Sequence, residues 1–273
     1  MRDDFSPDAP LVLVGAGKMG GAMLHGWVEA GLSTGAGILL DPMISDEMAS
    51  YAQAHGLVVN PGSTSSARVL IIAIKPQMMD TVLPDFRRLV GPSSLIMSVA
   101  AGIPMSTYTN TFGDNARIIR AMPNTPAAVG RGMTVGYANA QATADDKDLA
   151  QRLLEAVGQV AWITEEKHMD AVTALSGSGP AYVFHMVEAM AAAGVAEGLD
   201  KDLAMQLARE TVAGAGELLH QSDEDASTLR INVTSPGGTT QAALEVLMGG
   251  DGQNELMQRA IAAAARRSRE LAG

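Results

Sequence analysis

The sequence contains no cysteine, and that absence removes a disulfide framework, a thiolate zinc site and a cysteine nucleophile together. Aromatic residues make up only 4% of it, while Ala, Gly and Met are abundant. Such a composition suits closely packed helices with small residues at their contacts. Basic residues are few: 19 Lys and Arg stand against 30 Asp and Glu, for a formal net charge of −11. The densest basic patch, Arg266, Arg267 and Arg269, falls on the last expected helix, whose C-terminus favours cations. Nothing there would track a phosphate backbone, so no nucleic-acid partner is expected. Long apolar runs are also missing. The longest weakly polar stretch, 181–199, carries His185, Glu188 and Glu197, which makes it a poor membrane span. The opening Met1-Arg2-Asp3-Asp4-Phe5 lacks the pattern of a signal peptide, so the expected compartment is the cytoplasm.

What is present is a chain of 273 residues, 47% of them hydrophobic. A chain of that length hides roughly 75% of its unfolded surface, enough for one large core or two ordinary ones. From Leu11 to Ile163, short apolar runs alternate with helical patterns. The expected strands are 11–14, 38–40, 69–73, 95–99, 116–119, 133–137 and 159–163, with helices over 19–30 and 45–55. Continuously apolar strands separated by helices predict a parallel sheet covered on both faces. After Glu165 the rhythm becomes wholly helical, over 167–175, 180–198, 201–219, 238–248 and 254–271. The fold class is therefore an α/β Rossmann-type domain, 1–165, followed by an all-α domain, 166–273. The helix from Ala181 to Leu199 is apolar or small nearly all round and must be covered on most faces. A second subunit supplies that cover, which predicts a homodimer through the C-terminal helices; the centre of a monomeric bundle is the other reading.

Gly15-Ala16-Gly17-Lys18-Met19-Gly20 is a G-x-G-x-x-G directly after a strand and opening a helix. Gly15 permits the tight turn, Gly17 the approach of a pyrophosphate and Gly20 close packing of helix on strand, and the helix N-terminus offers its amides to the phosphates. Asp41 ends the second strand about 20 residues beyond, where an acid accepts ribose hydroxyls; it equally suits a turn cap before Pro42. No Lys or Arg lies between Asp41 and Glu47 to pair a 2′-phosphate, which favours NADH. Ala73-Ile74-Lys75-Pro76 leaves the third strong strand at the edge where open α/β sheets bind ligands. Ala73, Lys75 and Pro76 are thus assigned to the cofactor, with Lys75 also a catalytic candidate. Met122-Pro123-Asn124-Thr125-Pro126 leaves another strand at the same edge, with Asn124 facing the nicotinamide.

In the helical half, Leu175-Ser176-Gly177-Ser178-Gly179-Pro180 is a small-residue turn entering the buried helix. Thr234-Ser235-Pro236-Gly237-Gly238-Thr239-Thr240 is a second turn at a helix start. Glycines before a helix expose several amides in one direction, an arrangement that binds a carboxylate. Ser235, Gly237, Gly238, Thr239 and Thr240 are the candidate substrate ligands; an ordinary capped helix is the bland alternative. His25, His55, His168, His185 and His220 fall in no spacing that suggests a metal or a Ser-His-Asp set, and no metal is expected. Asp223-Glu224-Asp225 reads as a solvated loop, with a lid over substrate as the sharper alternative.

Together, residues 15–20, Ala73-Ile74-Lys75-Pro76, Met122 to Pro126, Ser176 to Tyr182 and Val233 to Thr240 resemble the pyrroline-5-carboxylate reductase family over nearly the whole chain. The resemblance implies reduction of Δ1-pyrroline-5-carboxylate to L-proline with NADPH or NADH. It also implies interlocked dimers, at times assembled into a larger ring such as a decamer, and a family habit of NADPH. By the same resemblance the Thr240 hydroxyl meets the ring nitrogen, while Ser176 and Asn124 bracket ring and nicotinamide. Two other readings stay in view. A β-hydroxyacid dehydrogenase would need a lysine on the helix after its glycine turn, and 179–198 contains none. A non-catalytic dinucleotide sensor would not need the turn at 237–238.

Overall fold

The computed structural model describes residues 4–272; Met1-Arg2-Asp3, part of the stretch read for a signal peptide, lies outside them. The chain divides into two compact units, one of residues up to 177 together with those from 265 onward, the other of 178–264.

The first unit runs β1 (Leu11–Val14), α1 (Lys18–Glu29), β2 (Gly37–Leu40), α2 (Asp46–Ala54), β3 (Val58–Val59) and β4 (Ala67–Ile72). A 3-10 turn Pro76–Met78, α3 (Met79–Val82) and a second 3-10 stretch Leu83–Leu89 lead to β5 (Val90–Ser98), α4 (Met105–Phe112) and β6 (Arg117–Met122). The 3-10 turn Thr125–Val129, β7 (Gly132–Ala138), α5 (Ala144–Glu155), β8 (Gly158–Trp162), a 3-10 turn Glu166–His168, α6 (Met169–Val172) and a π-helical turn Thr173–Gly177 complete it. The eight strands form one sheet in the order β3-β2-β1-β4-β5-β6-β7-β8. Val69, Leu70, Ile71 and Ile72 are all 0% exposed, because strands flanked by helices on both faces must be apolar on both. One face packs Leu13, Leu39, Ile71 and Met97 against Met23, Leu24 and Trp27 of α1 and Leu153 of α5. The other packs Val14, Leu70, Ile96 and Ile118 against Met79, Leu83 and Tyr108.

The sheet departs from the parallel expectation at one pair: β6 and β7 run antiparallel. Only 123–131 join them, too few residues for the crossover that a parallel pair needs. Strand β3 is too short to leave a hydrophobic pattern. The expected helix 167–175 is instead a 3-10, α and π succession. This segment belongs to the first unit: Met169 and Ala174 are buried, and a Cβ on Gly177 would strike the Met122 side chain.

The second unit holds α7 (Gly179–Ala196), α8 (Lys201–Gln221), α9 (Ala226–Asn232), α10 (Thr239–Leu247) and the start of α11 (Gln253–Ala272). The short α9, not expected from the sequence, begins directly after Asp223-Glu224-Asp225, which are non-helical. Of α7, only Ala191 is buried within this chain, while Val183, Phe184, Met186, Met190 and Val195 are exposed. Among the described residues no helix is long and apolar enough to cross a membrane.

Candidate functional site

Strand register gathers the first part of the site. Val14 lies opposite Leu40 of β2 and Ile72 of β4, so the three strands end in one row. Gly15, Asp41 and Ala73 therefore leave the sheet side by side. The chain order reverses here, since β2 lies on one side of β1 and β4 on the other. That is the crevice where an open α/β sheet takes a dinucleotide.

Each fingerprint glycine has a visible reason. Gly15 has φ +89°, and a Cβ on it would lie 2.7 Å from the Ala73 carbonyl oxygen. A Cβ on Gly20 would strike the Gly15 carbonyl, whereas one on Gly17 would point into open space. No side chain caps α1 at Gly17, so its first-turn amides, Lys18 and Met19 among them, remain available to an anion. An open face at Gly17 above an uncapped helix fits a pyrophosphate.

Asp41 does more than end a strand. Its Oδ2 accepts from the Ala16 amide at 2.8 Å, and its Oδ1 from the Met43 amide at 2.9 Å. Asn60 braces it in turn: Asn60 Oδ1 accepts from the Asp41 amide at 2.9 Å, and Asn60 Nδ2 donates to the Asp41 carbonyl at 2.8 Å. Asn60 adopts φ 45° to do so, a conformation Asn tolerates better than most residues. The turn-capping reading of Asp41 is thus realised, and each oxygen keeps a lone pair for a ribose hydroxyl. Lys18 and Lys75 are exposed at this edge, and Lys75 precedes the 3-10 turn that Pro76 begins.

At the end of β6, Asn124 Nδ2 lies 3.3 Å from both the carbonyl and the hydroxyl oxygen of Ser176. Its Oδ1 accepts from the Met133 amide at 2.9 Å. The carboxamide is therefore held at both ends. Ser176 sits on the π turn, a distortion that recurs at functional sites.

Sequence reading missed the pair that anchors this segment. Arg120, 9% exposed on β6, forms an ion pair with Glu166, whose Oε1 also accepts from the Met105 amide at the start of α4 at 2.7 Å. A charge inside the run Ile118-Ile119-Arg120-Ala121 was the available signal, because a buried guanidinium demands a partner. Arg120 and Glu166 help line a pocket of about 240 Å³ with Gly102, Asp170 and Ser268. Asp170 accepts from the Ser268 hydroxyl at 2.6 Å. Nearby, the Tyr108 hydroxyl lies 2.5 Å from Ser98 Oγ. Burial pushes the Tyr108 phenol up to about 12, against the lowering effect of Ser98 and Arg120.

In the second unit, Gly237 turns with φ +72°. The Gly237 amide donates to Gln241 Oε1 at 2.7 Å and the Gly238 amide to the Ser235 carbonyl at 3.0 Å. Both glycine amides are thus engaged, unlike the arrangement the sequence suggested, and Thr239 and Thr240 are the first residues of α10. No side chain caps that end. Gln241 was not foreseen. Among the described residues, no group of three or more His, Asp or Glu side chains is placed to hold a metal ion.

Residues 166–271 match the family described as pyrroline-5-carboxylate reductase dimerisation, and residues 10–102 the family described as NADP oxidoreductase, coenzyme F420-dependent. The chain is 38% identical to a pyrroline-5-carboxylate reductase of Glycine max, over 96% of this chain and 95% of that one. A solved pyrroline-5-carboxylate reductase of Coxiella burnetii superposes with a TM-score of 0.90 at 32% identity, covering 97% of this chain and 99% of that one. The Plasmodium falciparum pyrroline carboxylate reductase, solved with NADP bound, superposes with a TM-score of 0.80 at 28% identity, covering 98% and 99%. Likeness in sequence and in fold along nearly the full length leads to one conclusion: the chain belongs to the pyrroline-5-carboxylate reductase family.

Proposed function

We propose that this chain reduces Δ1-pyrroline-5-carboxylate to L-proline, the last step of proline synthesis, working as a cytoplasmic homodimer joined through its C-terminal helices. Residues 1–165 act as the dinucleotide domain and 166–273 as the substrate and dimerisation domain. Assembly of dimers into a ring such as a decamer is the natural extension. The observation that carries this reading is the pairing, on one chain of this family, of an open glycine loop with an uncapped helix start at Thr239 and Thr240.

The reduced dinucleotide, when bound, supplies the hydride. The residues of the chain do the rest. Gly15, Ala16, Gly17, Lys18, Met19 and Gly20 form the pyrophosphate loop, with Ala73, Lys75, Pro76 and Asn124 along the same sheet edge. The amides of Thr239 and Thr240 and the Ser235 hydroxyl hold the carboxylate, on the turn that Gly237 and Gly238 make. The Thr240 hydroxyl accepts from the protonated ring nitrogen. Because the iminium arrives protonated, no strong acid is required, and rate comes mainly from holding the reacting carbons about 3–3.5 Å apart. Ser176, its hydroxyl oxygen accepting from Asn124, keeps its own proton free to orient substrate.

The preferred cofactor in this reading is NADH. A 2′-phosphate at the end of β2 would meet the Asp41 carboxylate, with Asp46 and Glu47 in the first turn of α2 and no cation between them. The relative with NADP bound points the other way, so rates decide. NADH and NADPH oxidation are followed in parallel with Δ1-pyrroline-5-carboxylate as acceptor. Turnover with NADH ahead is expected. NADPH ahead overturns the cofactor preference alone, and no turnover in protein that still binds dinucleotide overturns the function.

A further inference from the structure

Gly237 and Gly238 precede α10, and two consecutive glycines are the loosest link a chain can contain. The structure nevertheless holds this link in one conformation, with Gly237 at φ +72°. The restraint comes from the helix that follows. Gln241, the third residue of α10, reaches back so that its Oε1 accepts from the Gly237 amide at 2.7 Å. In an ordinary capping box a side chain at that position serves the amide of the cap residue itself, which here is Gly238. That amide already donates to the Ser235 carbonyl at 3.0 Å, and Gln241 serves the residue before it. The other end of its carboxamide is fixed as well: Nε2 donates to Glu245 Oε1 at 3.1 Å, one helical turn on. Glu245 thereby sets which end of the carboxamide faces the turn. Upstream, Thr234 Oγ1 donates to the Arg230 carbonyl at 2.7 Å, so the turn is tied on both sides.

We propose that Gln241 is the positioning residue of the substrate turn: it holds the Gly237–Gly238 link in the shape that receives a carboxylate, and its lack of charge lets the carboxylate approach. The inference rests on the reading of this turn as the substrate site. Gln241 touches Gly237 and acts through it. Ordering two glycines opposes binding unless it is done beforehand, and such preorganisation favours bound substrate and transition state alike. Its loss is therefore felt in KM and not in kcat. The residue type carries the second half of the proposal. A glutamate would accept from the Gly237 amide more strongly and would suit a helix N-terminus better. Repulsion from Glu245, four positions on, is no larger than that gain. Helix stability alone gives no reason for a neutral side chain here, whereas an anionic ligand at the same helix start does.

Two variants separate the two halves. Gln241→Met keeps the length of the side chain and removes the acceptor; Gln241→Glu keeps the acceptor and adds a charge. Initial rates with Δ1-pyrroline-5-carboxylate give KM and kcat. Cyclopentanecarboxylate, which has a ring and a carboxylate but no reducible bond, gives an inhibition constant. Gln241→Met should raise the KM and that inhibition constant about tenfold, as for one lost hydrogen bond, with kcat within about twofold and the dinucleotide Kd unchanged. Gln241→Glu should raise both constants about three- to tenfold. Relative to wild type at the same salt, about 0.5 M NaCl should remove most of the rise in Gln241→Glu by screening, and none of it in Gln241→Met. Urea midpoints should barely move in either variant, because Gly237 is exposed and water replaces the lost acceptor. A side chain that served only as a helix cap would lower the urea midpoint in Gln241→Met and leave both constants at their wild-type values. That result overturns the proposal while the reductase reading stands, and so does a loss confined to kcat. If the wild type reduces no pyrroline, the reductase reading falls, and binding of cyclopentanecarboxylate followed by NMR line broadening decides the role of Gln241 separately. Weaker binding in both variants then supports it, and no binding to the wild type overturns it.

Discussion

Asn124 and Ser176 are joined side chain to residue across 52 positions of sequence: the Asn124 Nδ2 lies 3.3 Å from both the carbonyl and the hydroxyl oxygen of Ser176. The other end of the carboxamide is tied to the Met133 amide. A strand end thereby fixes the hydroxyl of a π turn, and Asn124 acts on Ser176 before it acts on any ligand.

That arrangement predicts a difference between two substitutions. Asn124→Asp keeps an acceptor for Met133 but offers Ser176 no donor, whereas Asn124→Ala removes both bonds. Asn124→Ala should cost about 1–2 kcal/mol in urea unfolding, for the polar partners left behind. Both should lower kcat by roughly ten- to a hundredfold through lost positioning of Ser176 and the nicotinamide, a larger effect than that on the KM for dinucleotide. Steady-state kinetics with each substrate varied checks it.

Asp41 should control cofactor choice as well as loop shape. Asp41→Asn retains an acceptor but loses the charge that repels a 2′-phosphate. The ratio of kcat/KM for NADH over that for NADPH should fall about tenfold, in line with loss of one close charge interaction. Parallel assays with the two cofactors read it directly.

Substrate binding should depend on α10. Thr240→Val keeps the shape and deletes the hydroxyl, so kcat/KM for pyrroline carboxylate should fall at least about tenfold, as for one lost hydrogen bond to a charged group. The dinucleotide Kd should stay fixed. Gly237→Ala forces a side chain into φ +72° and should cost about 1 kcal/mol of stability, with a higher KM for the carboxylate. Fluorescence titration and initial rates separate these effects.

Tyr108 predicts a pH effect in the alkaline range. Its folded value, about 12, lies above the ordinary 10, so the folded state holds the proton more tightly. The associated stability is fully present below pH 10 and is lost as pH rises towards 12. A two-unit shift corresponds to roughly 2–3 kcal/mol. Tyr108→Phe should show a shallower loss between pH 10 and 12 than wild type, measured as the difference in urea midpoints.

The uncovered face of α7 predicts association. Phe184 is 63% exposed within this chain, and its neighbours Val183, Met186 and Met190 are exposed too. Phe184→Glu should convert the dimer to monomer at micromolar concentration, by placing a charge where apolar contact is required. Sedimentation velocity gives the answer.

Much of this molecule was legible because its signals are local. The glycine fingerprint, the apolar strands β1, β4 and β5, and the long helices α7, α8 and α11 follow from periodicity and turn chemistry alone. The reversal at β7 was not legible, since strand direction depends on the length of a connection whose 3-10 turn leaves no pattern. The roles of Asn60, Glu166 and Gln241 were hidden for a related reason. Each is a polar side chain that serves a backbone group elsewhere, Asn60 from 19 positions away and Glu166 from 61. Asp41 shows the limit well: its place before Pro42 suggested a turn cap, realised at the Met43 amide, while its bond to Ala16 emerged only from the folded turn.

The central claim is direct hydride transfer from the nicotinamide to the imine carbon, and isotope transfer tests it most directly. NADH carrying deuterium on the transferred side of C4 is incubated with the enzyme and Δ1-pyrroline-5-carboxylate, and the product is analysed by mass spectrometry and NMR. The prediction is L-proline with one deuterium at C5 for each NADH consumed. Proline without the label, or bound NADH that is never oxidised, would contradict it.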